Sequence, residues 1–133
     1  MHIGDVALQT GITPRMIRHY EKLGLIPTPS RQLSGYRSYT QADIDRLRFI
    51  RSARDLGFPL AEIASLLDLW QNPQRASSHV KALALARAQA LQEQARALEE
   101  MRRRLLSLAS HCPGNDQPGC PILEEMAGLR TKA

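Results

Sequence analysis

Residues 13–24 read TPRMIRHYEKLG, and their reading decides the fold. Thr13 is a strong N-cap and Pro14 suits the first helical position. Gly24 can take the left-handed conformation that stops a helix, so the spacing predicts a helix reaching about Leu23. Immediately upstream, Ile3, Val6 and Ala7 recur at helical spacing and the pattern stops at Gly11, which predicts a first short helix over residues 3–10. Two short helices joined through a glycine turn predict a helix-turn-helix unit. Arg15, Arg18 and His19 lie near the start and middle of its second helix, while Met16, Ile17 and Tyr20 share inward and phosphate-facing positions. Such a helix fits the DNA major groove, where Arg reads guanine edges and pairs with phosphates. The same residues also suit a plain solvated basic face.

Downstream, residues 25–39 are rich in Pro, Ser and Gly and then alternate as Tyr36, Arg37, Ser38 and Tyr39, predicting two short strands around a loop. This hairpin would stand beside the second helix as a wing. Tyr36 and Arg37 at its tip pair an aromatic hydroxyl with a guanidinium, a combination suited to clamping flanking phosphates. Either tyrosine, Tyr39 more than Tyr36, also suits a strand position over a small core. Arg31 and Arg54 are further candidates for backbone contacts. Thr40 and Asp43 form a capping-box pattern that opens a third helix, with Ile44, Leu47, Phe49 and Ile50 apolar, ending before Gly57. Pro59 opens a fourth, with Leu60, Ile63, Leu66, Leu67 and Trp70 expected on its buried side.

Asn72 and Pro73 then break the pattern, and Ser77 or Ser78 can cap a further helix. Residues 79–110 predict one helix roughly 48 Å long. Ala84, Leu91, Leu98, Met101, Leu105 and Leu108 recur at 3-4 spacing, and only Arg87 and Gln94 interrupt the seam. A helix of this length has too little chain left to pack on, so a second copy in a coiled-coil homodimer is the expected partner. Residues 111–120, HCPGNDQPGC, read as a loop, and residues 121–126 as a short closing helix. The expected organisation is a DNA-binding domain over 1–70, a hinge over 71–78, a dimerisation helix over 79–110, and a cysteine loop with a short helix over 111–133.

At 133 residues the chain has room for one compact domain, or a small domain plus an extended helix, which excludes a large multidomain enzyme. Hydrophobic residues make up 43% and aromatic ones only 5%, giving an aliphatic core thin enough to gain from a second subunit. Residues 1–54 hold nine basic against four acidic side chains, which accounts for the whole net charge of +5. A polyanionic partner for that half is expected. No nucleophile-base pair, phosphate loop or paired carboxylates are present, so the chain reads as no enzyme. No apolar run approaches the roughly 20 residues of a membrane span and no signal-peptide pattern opens the chain, so a cytoplasmic location without membrane contact is expected.

Cys112 and Cys120 flank a loop containing Pro113, Gly114, Pro118 and Gly119. Residues that bend a chain sharply can bring two sulfurs face to face, and two thiolates suit a soft monovalent ion in near-linear coordination. Zinc is an alternative, but a structural zinc normally takes four ligands, and beside the cysteines only His111 is near. A thiol redox sensor is another, although the spacing is wider than that of a Cys-X-X-Cys turn. His111 itself reads as a helix-end residue.

Taken together, IGDVALQTGITPRMIRHYEKLGLIP, GYRSYT, RLRFIRSARDLGFPLAEI and CPGNDQPGCPI resemble, in order and over essentially the whole chain, the MerR family of transcriptional regulators. The cysteine loop and the helix before it most resemble the copper-sensing CueR-like branch and its gold-sensing relatives. The resemblance implies a mostly α fold, with a winged helix-turn-helix at each end of a dimer joined by an antiparallel coiled coil. It implies Arg15, Arg18, Tyr20, Tyr36 and Arg37 as DNA contacts, and Cu(I), Ag(I) or Au(I) as effector at Cys112 and Cys120. It further implies that the protein binds an overlong promoter spacer and that the metal-loaded form underwinds the DNA so that RNA polymerase engages. Relatives that sense divalent metals carry cysteine where this chain has Ser77, and a hydroxyl is a poor soft-metal ligand, so monovalent ions are expected. Pro113 and Pro118 mix the copper-type and gold-type loop patterns. The tail after Met126 lacks the extra Cys and His of some copper sensors.

Overall fold

In a computed structural model of the chain the described residues are 1–28, 30–31 and 37–128, the side chains of Ser30, Arg31 and Arg37 excepted. The helices are α1 (Ile3–Thr10), α2 (Pro14–Lys22), α3 (Gln41–Asp55), α4 (Leu60–Gln71), α5 (Ser77–Ser110) and α6 (Pro121–Met126). Two strands, β1 (Ser30–Arg31) and β2 (Arg37–Ser38), pair antiparallel with Ser30 opposite Ser38 and Arg31 opposite Arg37. The architecture is mostly α, a helix-turn-helix followed by a long helix. It divides into two compact units, residues 1–84 and 85–133.

Local chemistry sets most of the helix ends in the first unit. The Thr13 hydroxyl accepts from the Met16 N–H at 3.2 Å, with Pro14 at the first helical position. Thr40 and Asp43 close a reciprocal capping box on α3, at 3.2 Å and 2.9 Å. Gly11 ends α1 at φ 72°, in the left-handed region where a side chain is strained. Between α1 and α2 the chain turns through Thr10, whose hydroxyl donates to the Val6 carbonyl at 2.8 Å and accepts from the Ile12 N–H at 3.2 Å.

The inward stripes of these helices meet in one aliphatic core. Val6, Ile17, Ile44, Leu47, Ile50 and Ile63 are completely buried. Truncating such a residue to Ala typically costs about 2–5 kcal/mol, a large share of the stability of a domain this small. Two side-chain bonds tie the helix-turn-helix to its surroundings. Arg51 on α3 donates from Nη1 to the Thr10 carbonyl at 2.8 Å. The Tyr39 hydroxyl, buried just past β2, donates to the buried Glu21 carboxylate on α2.

Trp70 departs from expectation. It is 40% exposed rather than turned into the core, and one ring face stacks on Phe49 at 4.7 Å and 11°. It sits in the last turn of α4, beyond the level at which Ile63 and Leu67 fill the space against α3. The α4–α5 turn is closed by Arg75, whose Nη1 donates to the Trp70 and Asn72 carbonyls at 3.0 Å and 3.2 Å, and by the Asn72 Oδ1, which accepts from the Gln74 N–H at 2.9 Å. A cationic donor at a helix C-terminus satisfies orphan carbonyls. The long helix starts at Ser77, two residues before the expected 79.

Candidate functional site

On α2 the residues Ile17, Tyr20 and Glu21 point inward and are buried. At 3.6 residues per turn this leaves Arg15, Arg18, His19 and Lys22, spaced i, i+3, i+4 and i+7, on one face, and all four are exposed. Three of them were expected from the sequence. Lys22 was passed over, although the same spacing marks it. Tyr20 is 4% exposed and belongs to the core, so it supports this face from behind instead of forming it. Arg54 is exposed on the last turn of α3. Of the wing candidates, Tyr36 and the side chains of Arg31 and Arg37 lie outside the described residues.

The face is basic, and helix α2 is held at both ends. Thr13 caps its start, and Glu21 near its end is bonded to Tyr39 beside the wing. A rigid helix carrying three or four cationic or donor side chains on one side is suited to a phosphate-lined groove.

In the second unit, α5 runs into the loop that carries the cysteines. None of its residues is buried among those described. Leu91, Leu98, Met101 and Leu105 of the seam are 43%, 64%, 58% and 53% exposed. The two polar residues that interrupt the seam meet, with Arg87 Nη2 donating to Gln94 Oε1 at 3.5 Å.

Beyond Ser110 the loop closes back so that both cysteines are half-buried free thiols. The Cys112 N–H still donates to the Ala109 carbonyl at 3.1 Å, continuing the helical path, and Cys120 is the extended N-cap residue of α6. The Leu123 N–H, facing the Cys120 sulfur, is the main influence holding that thiol below its ordinary range. Partial burial opposes it, the Ile122 N–H and the Cys112 thiol reinforce it, and the Glu124 carboxylate works against it. Neither N–H reaches the geometry of a full cap bond. Cys112 thus lies near enough to act on Cys120, whose thiol is biased toward thiolate. This donor pair fits a soft, low-coordinate ion. His111 Nδ1 lies 2.7 Å from the Ser107 carbonyl at the end of α5, in keeping with a helix-end role. Among the described residues no group of three or more His, Cys, Asp or Glu gathers as a metal cluster.

Fold and site together define a class: a helix-turn-helix regulator with an exposed basic helix face and a separate thiol-bearing unit. Residues 1–70 match the MerR HTH family regulatory protein domain, and residues 44–108 match the domain described as MerR, DNA binding. The heavy metal-dependent transcription regulator 2 of Rhizobium meliloti (strain 1021) is 48% identical over 127 residues, 96% of this chain and 86% of that one. The regulator CueR of Escherichia coli O6:H1 is 43% identical over 128 residues, 96% of this chain and 95% of its own length. The crystal structure of PbrR691 from Ralstonia metallidurans CH34 in complex with lead(II) superposes with a TM-score of 0.81 at 30% identity, covering 95% of this chain and 98% of that chain. The chain belongs to the MerR family of transcription regulators, and is a regulator rather than an enzyme. Among the described residues no helix is long and apolar enough to cross a membrane.

Proposed function

We propose that this protein is a cytoplasmic, metal-responsive transcriptional activator that binds promoter DNA as a homodimer and takes Cu(I), Ag(I) or Au(I) as its effector. The observation that supports the reading is the nearness of the free Cys112 and Cys120 thiols beyond the end of α5 in a chain whose α2 presents an exposed basic face. Arg15, Arg18, His19 and Lys22 contact the major groove. The wing, with Tyr36, Arg37 and Arg31, together with Arg54, contacts flanking phosphates. The exposed seam of α5 pairs antiparallel with a second copy, which spaces two DNA-binding units along one operator.

A coinage-metal ion bound at the two sulfurs would supply one positive charge against the two thiolates. Cys112 and Cys120 hold it, and the N–H groups of Leu123 and Ile122 stabilise the anionic form of Cys120. Ser77, with a hard hydroxyl where divalent-metal sensors carry a thiol, selects against ions that need a third soft ligand. The changed loop biases the DNA-binding units toward a geometry that underwinds the promoter for RNA polymerase, since DNA deformation is a usable control variable.

The test is anaerobic competition titration of the purified protein with Cu(I), Au(I) and Zn(II), read alongside promoter-directed transcription. One monovalent ion per cysteine pair, with activation and no response to zinc, supports the proposal. Cys112→Ser and Cys120→Ser should each abolish induction and leave operator binding intact. The nearness of the two thiols also suits a redox sensor. Activation by mild peroxide with loss of two thiols, and none by metal, would establish that reading in place of the metal one.

A further inference from the structure

We propose that Arg104 is a positioning residue for the cysteine loop: its ion pair with Glu125 pins α6 to α5 and holds the two ends of the Cys112–Cys120 segment together. The proposal rests on the reading of that segment as a metal site. Residues 102–104 are consecutive arginines with different partners. Arg102 and Arg103 turn back along α5 to Glu99, at 2.6 Å and 3.3 Å. Arg104 instead reaches across 21 positions of sequence to Glu125, and both cysteines lie inside the loop that this contact closes.

Two physical points give the contact its weight. First, α6 has six residues, none of them buried, and a helix this short is not stable by itself. Its place depends on what it touches. Second, the Glu125 side chain is only 15% exposed, against 61% for Arg104, and a carboxylate withdrawn from water is costly to leave without a cation. Arg104 thus anchors the helix that carries the N–H groups facing Cys120.

The experiment uses the full chain as wild type, R104E, E125R and the R104E/E125R double variant. Cu(I) affinity is measured by anaerobic chelator competition, and amide hydrogen exchange over residues 122–127 is measured without metal. Each single variant is expected to bind Cu(I) about threefold to tenfold more weakly, the range for losing a partly shielded pair and adding like-charge repulsion. Each should also exchange its α6 amides faster. The double variant should recover both readouts to within about twofold, with operator binding of the metal-free protein unchanged throughout. Wild-type affinity in R104E, weakened affinity without faster exchange, or failure of the double variant to recover would each overturn the positioning role while leaving the metal site standing. Wild-type protein that binds no Cu(I) would overturn the metal reading and the positioning role with it.

Discussion

Gly11 and Cys120 are positions where backbone geometry decides what a side chain can do. At Gly11 a Cβ would lie 1.6 Å from Arg51 Nη1, and φ is 72°. Gly11→Ala therefore combines left-handed strain with displacement of the guanidinium that donates to the Thr10 carbonyl. The expected loss is about 1–2 kcal/mol, readable by urea denaturation, and an unchanged midpoint would show that the turn relaxes freely. The glycine itself was legible as a turn in the sequence, whereas its contact with a residue 40 positions away was not. For Cys120, a lowered thiol pKa means that thiolate persists to lower pH. The pH midpoint of its alkylation, followed by mass spectrometry of the metal-free protein, should fall below the value of about 8.5 for free cysteine. A midpoint at or above that value would show that burial and the Glu124 carboxylate outweigh the Leu123 N–H.

At the scale of elements, the ends of α1 to α4 follow from single residues at predictable places, Gly11, Thr13, Pro14, Thr40 and Pro59, because caps and breakers act within one turn. Their faces were less readable. Trp70 continues the apolar pattern of α4 yet stays 40% exposed, because Phe49 covers only one side of its ring. Tyr20 fits a DNA contact by its place on α2, yet lies in the core. The long helix makes the most exposed prediction. With Leu98 64% exposed in the single chain, Leu98→Glu should leave that chain folded but lower the sedimenting mass from dimer to monomer at micromolar concentration. A dimer that survives the substitution would place the interface elsewhere. The same variant should lose most operator affinity, since two half-sites are no longer held together.

On the scale of the whole molecule, charge is divided as function requires, with the entire net of +5 carried by residues 1–54. Operator binding should therefore weaken steeply with salt. Lys22→Ala should lower the slope of log K against log salt by about one, the signature of a lost phosphate contact. An unchanged slope would remove Lys22 from the interface. By itself the sequence determined the helix order, the charge division, the glycine turn of the helix-turn-helix, the seam of α5 and the two cysteines as candidate ligands. All of these are local or periodic properties, and local spacing is what a one-dimensional pattern preserves. Only the tertiary structure decided that Tyr39 bonds Glu21, that Arg51 clasps the Thr10 carbonyl, that Arg104 rather than its two neighbours reaches Glu125, and that the Cys112 thiol lies near enough to act on Cys120. Each joins residues from 8 to 41 positions apart, and a partner brought close by folding leaves no mark in the spacing of either residue alone.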